Sequence, residues 1–588
     1  MTGLDPVAPA ITVDGAPLPN NWLDLLVGMR LERAIGMVGR GTLRFVDPGY
    51  ALSAGGPFGV GAQVRISLHG GGLLMNAAVT AVSLEQSAGD HPELVVVIDD
   101  IARKLTRGTC VKTYAQVTWS DVIRTIASRS GLKTVVSATA GVQEYVLQAG
   151  SDLAVLDSIA ERAGLMWWVD GAGGDELHVD KAGKSNGSVA LQLTEDLLTF
   201  SVRASGLHPT EVNVQGWDAD RQQALQAQRP VKASATARSD FVNAFVVPEK
   251  QLGSAAVVVS GQSVQTGADA TAVASSLEES WATAAVVARG SCHVNAAIKP
   301  TVALTIKQAG PASGSYRVSQ VEHVYSQRGF HTRFVAGDSR PPSLVGSLTA
   351  PRKDAGFLVP GLLIGQVTNI NDPDSLGRVK VKYPGISDEV ESTWARIATL
   401  GAGPSRGMVF QPEVNDEVLV GFEAGDSRRP LVLGGLYSKV NKLDSWGVKQ
   451  GKVASRRITS RTGNFVELAD AAGSDVDHIL LQLAGGKGTV LLGADKLDVE
   501  VPQGNPVTIK AGQAKFEIAK DGSVTIEGTN VTIKAKAKVN IEGTGGLSAK
   551  SSAITAVEGM QVQVKGQAMA SVEGGGQLAL KGGMVAIN

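Results

Sequence analysis

The chain has 588 residues and a mass of 60.8 kDa, too long for a single hydrophobic core, and it should fold as roughly three to five structural units. Its 55 basic and 56 acidic residues give a net charge of -1, which argues against a nucleic-acid-binding protein. Seventy glycines combined with an aromatic content of only 5% favour β-structure with many tight turns.

The two cysteines, Cys110 and Cys292, are too few for a disulfide framework or a structural zinc site. The N-terminus has neither a basic start nor an apolar segment, so it is not a secretory signal, and synthesis in the cytoplasm is expected. No apolar run reaches the ~18 residues that a transmembrane helix requires.

The first 345 residues predict two strand-rich regions separated by helices. Residues 1–105 contain short apolar or alternating runs divided by glycines, a pattern typical of a β-barrel. Residues 106–205 contain two predicted helices; Ser120 and Ser151 are their predicted N-caps, and Gly131 and Gly164 their predicted ends. Residues 206–345 predict a second barrel, and this region includes an Ala-rich helix over residues 265–288.

The middle of the chain predicts a linker and two further β units. Residues 346–360 are rich in turn formers and lack periodicity, which indicates a linker. Residues 361–438 hold about five predicted strands between Gly and Pro turns, the size of a small closed barrel of OB type. Residues 439–506 predict a neck of β-hairpins.

Residues 507–588 form an internal repeat whose units most often begin eight residues apart. Apolar and polar residues alternate within each unit, as in the run from Val539 to Glu542, and this is strand periodicity. One short strand per unit cannot enclose a core, but three chains wound around one axis can. The repeat therefore predicts an obligate homotrimer with a three-chain β-helical needle.

One outward position of the repeat alternates in charge at every step. Stacked layers would place opposite charges next to each other and would penalise a slip of register. The alternative is a chance alternation on a solvated face, which eight consecutive positions at matched spacing disfavour. The predicted charge ladder consists of Glu527, Lys534, Glu542, Lys550, Glu558, Lys565, Glu573 and Lys581.

Residues 361–437 carry the most specific pattern: GLLIGQVTNINDPDSLGRVKVKYPGIS, then WARIATLGAG, then GMVFQPEVNDEVLVGFEAGDSRRPLVLGGLY. This stretch resembles the OB-fold domain of VgrG-type spikes of contractile injection systems and of phage baseplate spikes. Upstream, TYAQVTWSDVIRTIASRSGL, EVNVQGWDADRQQ and YRVSQVEHVYSQRGFHTRF resemble the hub of the same family. The repeat resembles its needle, so the resemblance covers nearly the whole chain.

The resemblance implies a trimeric, mainly β spike at the tip of a phage tail-like machine. Each chain would supply two similar hub barrels, so that three chains present six barrels to a hexameric inner tube protein. Baseplate proteins, an effector cargo and, on firing, the target membrane would be further partners, and contraction would deliver the spike outward. A PAAR-type tip cap would bind the blunt end at Met584, Val585, Ala586, Ile587 and Asn588.

Motifs that could carry catalysis or ligand binding are better explained as turns. Ser405 lies in GPSRG, which matches a nucleophile elbow by letter, but no helix pattern follows it. GGKGT at 485–489 lacks the spacing of a phosphate loop, and NDPDSLG at 371–377 lacks the closing Glu of a calcium loop. His293, His323 and His331 are isolated in sequence. We therefore predict no catalytic, cofactor or metal site.

Two departures from the family's variants are informative. About 70 residues separate the OB domain from the needle, too few for the lysozyme domain of some phage spikes, and no toxin domain is expected after the repeat. Two rival functions remain open. One is a trimeric adhesin or tail fibre, which should carry an aromatic-bearing recognition head; the other is a cell-envelope hydrolase on a spike scaffold, which needs convergent catalytic side chains.

Overall fold

A computed structural model describes residues 8–170, 173–181, 184–206, 208–232, 237–245, 252–260, 264, 266–337, 359, 361–443, 447–470 and 476–587. The fold is mainly β, with 44% strand and 13% helix, as the composition predicts. The chain divides into two compact units, Met1–Lys442 and Leu443–Asn588. The predicted linker at 346–360 lies almost entirely outside the described residues.

The first strand block, residues 8–105, consists of seven strands, a four-residue α-helix and two 3-10 helices, Pro48–Tyr50 and Ile101–Leu105. A core of apolar side chains lies under it, and Trp22, Phe45 and Phe58 pack there with ring centroids about 5.4–5.5 Å apart. The elements are β1 (Pro9–Val13), β2 (Ala16–Pro17), α1 (Asn20–Leu23), β3 (Leu26–Ala34), β4 (Arg40–Val46), β5 (Gln63–Leu68), β6 (Leu73–Glu85) and β7 (Glu93–Asp100).

The next region contains the two predicted helices, which pack on two small sheets, β8–β10 and β9–β12–β11. The elements are β8 (Cys110–Thr118), α2 (Trp119–Arg129), β9 (Lys133–Val136), β10 (Val142–Gly150), α3 (Asp152–Ala163), β11 (Leu165–Asp170) and β12 (Glu176–Lys181).

The predicted caps are right for α3, whereas for α2 the predicted end at Gly131 is right and the predicted N-cap is wrong. Ser151 accepts a hydrogen bond from the Ala154 amide, and Gly164 ends α3 in the left-handed conformation. On α2 the N-cap is Thr118, which forms a capping box with Asp121, whereas Ser120 is buried inside the first turn. Thr118 is the N-cap because Asp121 lies three residues after it, where the Asp121 carboxylate accepts a hydrogen bond from the Thr118 amide at 3.1 Å.

Within its described residues, the second strand block, 188–337, contains ten strands, two α-helices and the short 3-10 helix Gly310–Ala312. A three-stranded sheet, β16–β15–β18, packs against the Ala-rich helix α5. The elements are β13 (Ser188–Gln192), β14 (Leu197–Ala204), β15 (Glu211–Asp218), β16 (Gln223–Pro230), β17 (Ala237–Ser239), α4 (Asp240–Phe245), β18 (Ala256–Val259), α5 (Gly267–Ala285), β19 (Val286–His293), β20 (Ala303–Lys307), β21 (Gly314–Ser326) and β22 (Gly329–Ala336).

Strands of both blocks join in one 14-stranded sheet, and within the described residues it does not close into two separate barrels. The physical reason is β21, which is 13 residues long. Its first half pairs with β17 and β20, and its second half pairs with β22 on one side and with β3 of the first block on the other. A β-bulge at 318–320 separates the two halves.

Residues 361–437 form a six-stranded sheet in the order β25–β24–β23–β29–β30–β26, one strand more than the five predicted, and within the described residues its strands do not close into the predicted barrel. Its core is made mostly of valines such as Val367, Val381 and Val420. The strands are β23 (Leu363–Asn369), β24 (Lys380–Tyr383), β25 (Ser387–Glu391), β26 (Arg396–Ile397), β27 (Ala402–Gly403), β28 (Arg406–Gly407), β29 (Glu417–Phe422) and β30 (Pro430–Gly435).

The second unit begins with a small hairpin and continues as a five-stranded antiparallel meander, β33–β34–β35–β36–β37, which we call the neck sheet. A three-stranded sheet, β38–β39–β40, follows. The strands are β31 (Val448–Lys449), β32 (Lys452–Val453), β33 (Ser455–Thr459), β34 (Phe465–Ala469), β35 (His478–Gln482), β36 (Thr489–Gly493), β37 (Leu497–Glu500), β38 (Val507–Ala511), β39 (Ala514–Ile518) and β40 (Val524–Glu527).

Residues 528–587, the remainder of the repeat, are all described and contain no assigned strand or helix in the single chain. Every one of them is exposed. A β-helix is therefore not formed by one chain alone.

Among the described residues, no helix combines the length and the apolar content needed to cross a bilayer.

Candidate functional site

The seam between the two strand blocks is the β3–β21 pair, where Glu32 lies directly opposite Glu322. Arg30 lies beside both acids and pairs with Glu322, and its Nη2 is 3.8 Å from Glu32. Arg333 on β22 reaches Glu322 at 3.3 Å, and the Gln320 amide donates to Glu32 at 2.5 Å. The seam is therefore a polar network in which two arginines offset two facing carboxylates.

The histidines that appear isolated in sequence lie near this seam. His293 and His331 are direct register partners on β19 and β22, a pairing that only the sheet produces. His323 is 1% exposed and its Nδ1 lies 2.9 Å from the Thr332 hydroxyl. Burial, together with the charge of Arg33, lowers the pKa of His323 to about 3, so this imidazole is neutral at physiological pH.

Metal binding finds no support in these groupings. Across the part of the chain that the structure describes, no cluster of three or more His, Cys, Asp or Glu side chains could hold an ion. Cys110 and Cys292 are both free thiols, and burial raises the pKa of Cys292 to about 12. Cys292 is thus a buried apolar side chain rather than a reactive thiol.

A buried ion cluster joins the six-stranded sheet to the helical region. Asp426, which is fully buried, accepts hydrogen bonds from Arg428 at 2.8 Å and from Arg162 of α3 at 3.4 Å. Arg428 also donates to the Gln143 side chain at 2.7 Å and lies 5.6 Å from the ring centroid of Trp119. Burial alone would raise the pKa of Asp426, but the two guanidinium groups lower it below its usual value.

The same junction has an apolar side. Tyr145 and Leu147, both on β10, belong to the core of the six-stranded sheet and pack with Val367 and Val418. Sequence reasoning missed this junction, since nothing local marks β10 as part of a core more than 200 positions away. The helical region and the six-stranded sheet therefore share one core within the first unit.

A cleft with a volume of about 890 Å³ lies between α5, the end of α3 and Arg428. Its lining carries charges of both signs, including Lys181, Glu278 and Glu279. Glu279 is already paired with Arg317 at 2.9 Å, and Arg162 with Asp426. The lining therefore mixes charges of both signs, and some of them are already paired within the chain.

The motifs interpreted as turns are turns in the structure. Ser405 lies between β27 and β28 with a φ of 55°, in a two-residue hairpin rather than at a strand-to-helix elbow. The GGKGT motif links β35 to β36. The Asp372 carboxylate accepts hydrogen bonds from the Leu376 amide at 2.9 Å and from the Arg378 guanidinium at 2.6 Å, and these bonds hold its pKa well below the usual range.

The predicted tip and ladder residues all lie in the exposed part of the repeat. Met584 is 90% exposed, Val585 50% and Ile587 82%; Ala586 is exposed as well, and Asn588 lies outside the described residues. Glu527 ends β40, and the other seven ladder residues are exposed side chains between 528 and 587. The tip and the ladder stay predictions, because both concern contacts between chains.

Two family descriptions match this architecture. Residues 363–437 match the type VI secretion system and phage-baseplate injector OB domain, which corresponds to the six-stranded sheet. Residues 7–327, more than half of the chain, match the Alg8 N-terminal domain, which covers both strand blocks except for the last residues of the second.

Individual proteins show the same likeness over shorter or more divergent stretches. The chain is 34% identical over 125 residues to the type VI secretion system spike protein VgrG5 of Pseudomonas aeruginosa, which is 20% of this chain and 15% of that protein. It is similar to one chain of a Francisella PdpA–VgrG complex over 84% of this chain and 79% of that one, at 10% identity and a TM-score of 0.49. A component of the type VI secretion system of E. coli, c3393, matches over 72% of this chain and 99% of its own, at 15% identity and a TM-score of 0.47.

An OB domain of the baseplate type, following a large β hub and preceding a repetitive β tail, defines the class of spike and hub proteins of type VI or phage tail-like injection systems. The chain belongs to the VgrG and phage-baseplate spike family and contains the Alg8 N-terminal domain.

Proposed function

We propose that this chain is the homotrimeric central spike of a contractile injection system. Its first unit joins the inner tube and the baseplate, and the repeat of residues 507–588 is a needle that punctures the target membrane. The observation that carries the proposal is the bare repeat at 528–587, where strand-type alternation is present but no strand is paired within the chain.

The exposure of the repeat is not compatible with a lone chain in water. Val539 is 49% exposed, Ile541 64% and Ile554 82%, and such side chains recur at alternate positions over 60 residues. A contiguous apolar surface of this extent is rare on monomeric proteins and marks an interface. Three chains, each supplying one wall of a narrow prism, would bury these side chains and pair the unpaired backbone groups.

The charge ladder supports the same arrangement. Its eight side chains are exposed and lie on the polar side of the alternation, where opposite charges in stacked layers would fix the register of the three chains. Each exposed pair would contribute little, on the order of 0.2–1 kcal/mol, so that the ladder orders the needle more than it stabilises it.

The remaining partners are proposals that rest on family membership. The hub would contact a hexameric inner tube protein and baseplate proteins, and the assembly could carry an effector. We propose that a PAAR-type cap binds at Met584, Val585 and Ile587, whose exposed apolar side chains suit a partner with an apolar base. We propose no enzymatic activity for the chain.

The mass of the purified chain tests the proposal. Light scattering should give three times the chain mass of 60.8 kDa. Val539→Asp and Ile541→Asp, on the apolar side of the repeat, should dissociate or loosen the trimer, whereas Asn540→Asp on the polar side should not. A monomeric full-length chain, or equal effects of Ile541→Asp and Asn540→Asp, would contradict the proposal.

A further inference from the structure

Five arginines cross one face of the 14-stranded sheet on a diagonal. Direct register partners in a sheet point to the same side and form rows across the strands. Ser201 of β14 shares a row with Arg289 of β19, and the next row contains Arg333 of β22. One strand and one row, a step of about 8 Å, separate each arginine from the next, except between the third and fourth, where Val324 of β21 intervenes. The arginine diagonal consists of Arg203 (β14), Arg289 (β19), Arg333 (β22), Arg30 (β3) and Arg44 (β4).

The two arginines at the β14 end of the diagonal differ from the other three in their partners. The arginines of β22 and β3 both bind Glu322, and the arginine of β4 binds two acids on β6 and β7. Arg203 and Arg289 are exposed and form no ion pair with any residue that the structure describes. The β14 end of the diagonal therefore carries two positive charges that the described part of the chain does not neutralise.

A shallow cleft of about 370 Å³ lies at this end of the diagonal. Its lining includes Arg289 together with three hydroxyl side chains, Thr199, Ser201 and Ser291. The Thr199 and Ser291 hydroxyls lie 2.6 Å apart, and since only one of them donates to the other, the second O–H is left for a ligand. Glu322 also lines the cleft, but it is already bound by two arginines. The cleft thus offers guanidinium and hydroxyl donors, which together suit a carboxylate.

The surroundings of the cleft indicate which class of anion it suits. A single-stranded nucleic acid is held by aromatic side chains on which its bases stack. The two aromatic side chains at this cleft, Phe200 and Phe334, pack instead in the core under the sheet, with ring centroids 6.5 Å apart. An extended polypeptide places every second side chain on one side, about 6.7 Å apart, and long Glu and Arg side chains can bridge the difference from the 8 Å step. An acidic polypeptide therefore fits better than a nucleic acid.

We infer that the arginine diagonal is a docking surface for an extended acidic segment of another protein, whose alternate carboxylates bind Arg203 and Arg289. Beyond these two arginines, an arriving carboxylate has to compete with Glu322 for Arg333 and Arg30, so most of the affinity comes from the β14 end. The inference goes beyond the proposed spike, because it concerns the first unit alone and requires neither the needle nor a tip cap.

A labelled peptide tests the inference on the full chain. The probe is a short fluorescein-labelled peptide in which Glu and Thr alternate, and the reference peptide has Gln in place of Glu. Fluorescence anisotropy should show that only the Glu peptide binds at low salt, and that binding is lost in about 1 M salt, where charges are screened beyond about 3 Å. Arg203→Gln and Arg289→Gln should each weaken binding about two- to fivefold, as the loss of an exposed ion pair does. Arg65→Gln, which changes an exposed arginine on β5 outside the diagonal, is the matched control and should leave binding unchanged.

Four results separate this inference from its alternatives. Equal binding of the Glu and Gln peptides, or equal losses in Arg65→Gln and Arg289→Gln, would overturn it. Tighter binding of a thymidine oligonucleotide than of the Glu peptide would show that the surface takes nucleic acid, and the inference would be wrong. If Arg203→Gln and Arg289→Gln lower the mass found by light scattering but leave peptide binding unchanged, the arginines contact a second copy of the chain instead. A monomeric native chain that still binds the Glu peptide through Arg289 would support the inference while contradicting the proposed trimer.

Discussion

Glu32 and Glu322 face each other as direct partners across the β3–β21 seam, one from each strand block of the hub. Two carboxylates in this position repel, and the repulsion is offset by Arg30 and Arg333, which reach Glu322 from neighbouring positions. The seam that joins the two halves of the hub therefore depends on arginines whose partners come from distant parts of the sequence.

Arg30→Ala should destabilise the seam, because it leaves the two acids facing each other with less compensation. Arg30 is 62% exposed, so the loss should be no more than about 1 kcal/mol in the free energy of unfolding, and it should shrink in high salt. Adding Glu32→Gln removes the repulsion and should recover most of the loss. Urea unfolding at low and high salt measures both; a double variant no more stable than Arg30→Ala would contradict the electrostatic account.

Asp426→Asn should be strongly destabilising, because it leaves Arg428 and Arg162 buried without their counter-charge. Removing one partner of a buried ion pair lowers the free energy of unfolding by roughly 3–5 kcal/mol. Asp374→Asn is the matched control, because Asp374 also pairs with an arginine, Arg378, but is 65% exposed. This variant should lose less than about 1 kcal/mol in the free energy of unfolding. Thermal unfolding followed by tryptophan fluorescence compares them. Similar losses in the two variants would show that burial does not set the cost.

The free energy of unfolding should depend on pH through the ionisation of the Asp426 carboxyl. The folded state lowers the pKa of this carboxyl, so its contribution is fully present above the unfolded pKa of about 3.9 and is lost as the pH falls through the lower folded value. The stability difference between the native chain and Asp426→Asn should therefore narrow as the pH falls from 5 towards 2. Unfolding titrations measure this difference, and a gap that stays constant over the range would contradict the assignment.

Lys565→Glu should weaken the needle at low salt, because the new acid lies between Glu558 and Glu573 in the ladder. Lys565→Gln is the control, since it removes the attraction without adding repulsion, and its melting temperature should lie between those of the native chain and Lys565→Glu. The differences should be small and should disappear in about 1 M salt, where charges are screened beyond about 3 Å. If Lys565→Glu and Lys565→Gln melt together at low salt, alternation does not set the register.

Ser405 should not react with a fluorophosphonate probe, because it lies in a two-residue hairpin turn rather than at a strand-to-helix elbow. Its φ of 55° favours glycine, so Ser405→Gly should be neutral or should stabilise by up to about 1 kcal/mol, whereas Ser405→Val should destabilise. Labelling by mass spectrometry and thermal unfolding test the two statements. Specific labelling of Ser405 would overturn its interpretation as a turn residue.

Local patterns were enough to predict much of the molecule. The Gly- and Pro-punctuated strands of residues 361–437 predicted the small β domain, and Ser151 and Gly164 marked the ends of α3 correctly, because caps depend only on neighbouring residues. The apolar side chains that alternate along the repeat are exposed in the single chain, because one chain cannot bury them. The N-cap of α2 could also have been predicted from the sequence, since Thr118 and Asp121 have the spacing of a capping box.

The remaining features of the fold depend on pairing between strands that are far apart in the chain, and no short stretch of sequence indicates such pairing. The single sheet across both strand blocks depends on β21 meeting β3, and the Asp426–Arg162 contact joins residues that no periodicity connects. In the neck, the sequence predicted hairpins, but only the register of five strands shows that Leu481 and its row neighbours form one continuous apolar face. Sequence thus determined the strands, turns and caps, which follow local chemistry. Tertiary structure decided which strands meet and which faces stay uncovered, because those depend on contacts between residues far apart in the chain.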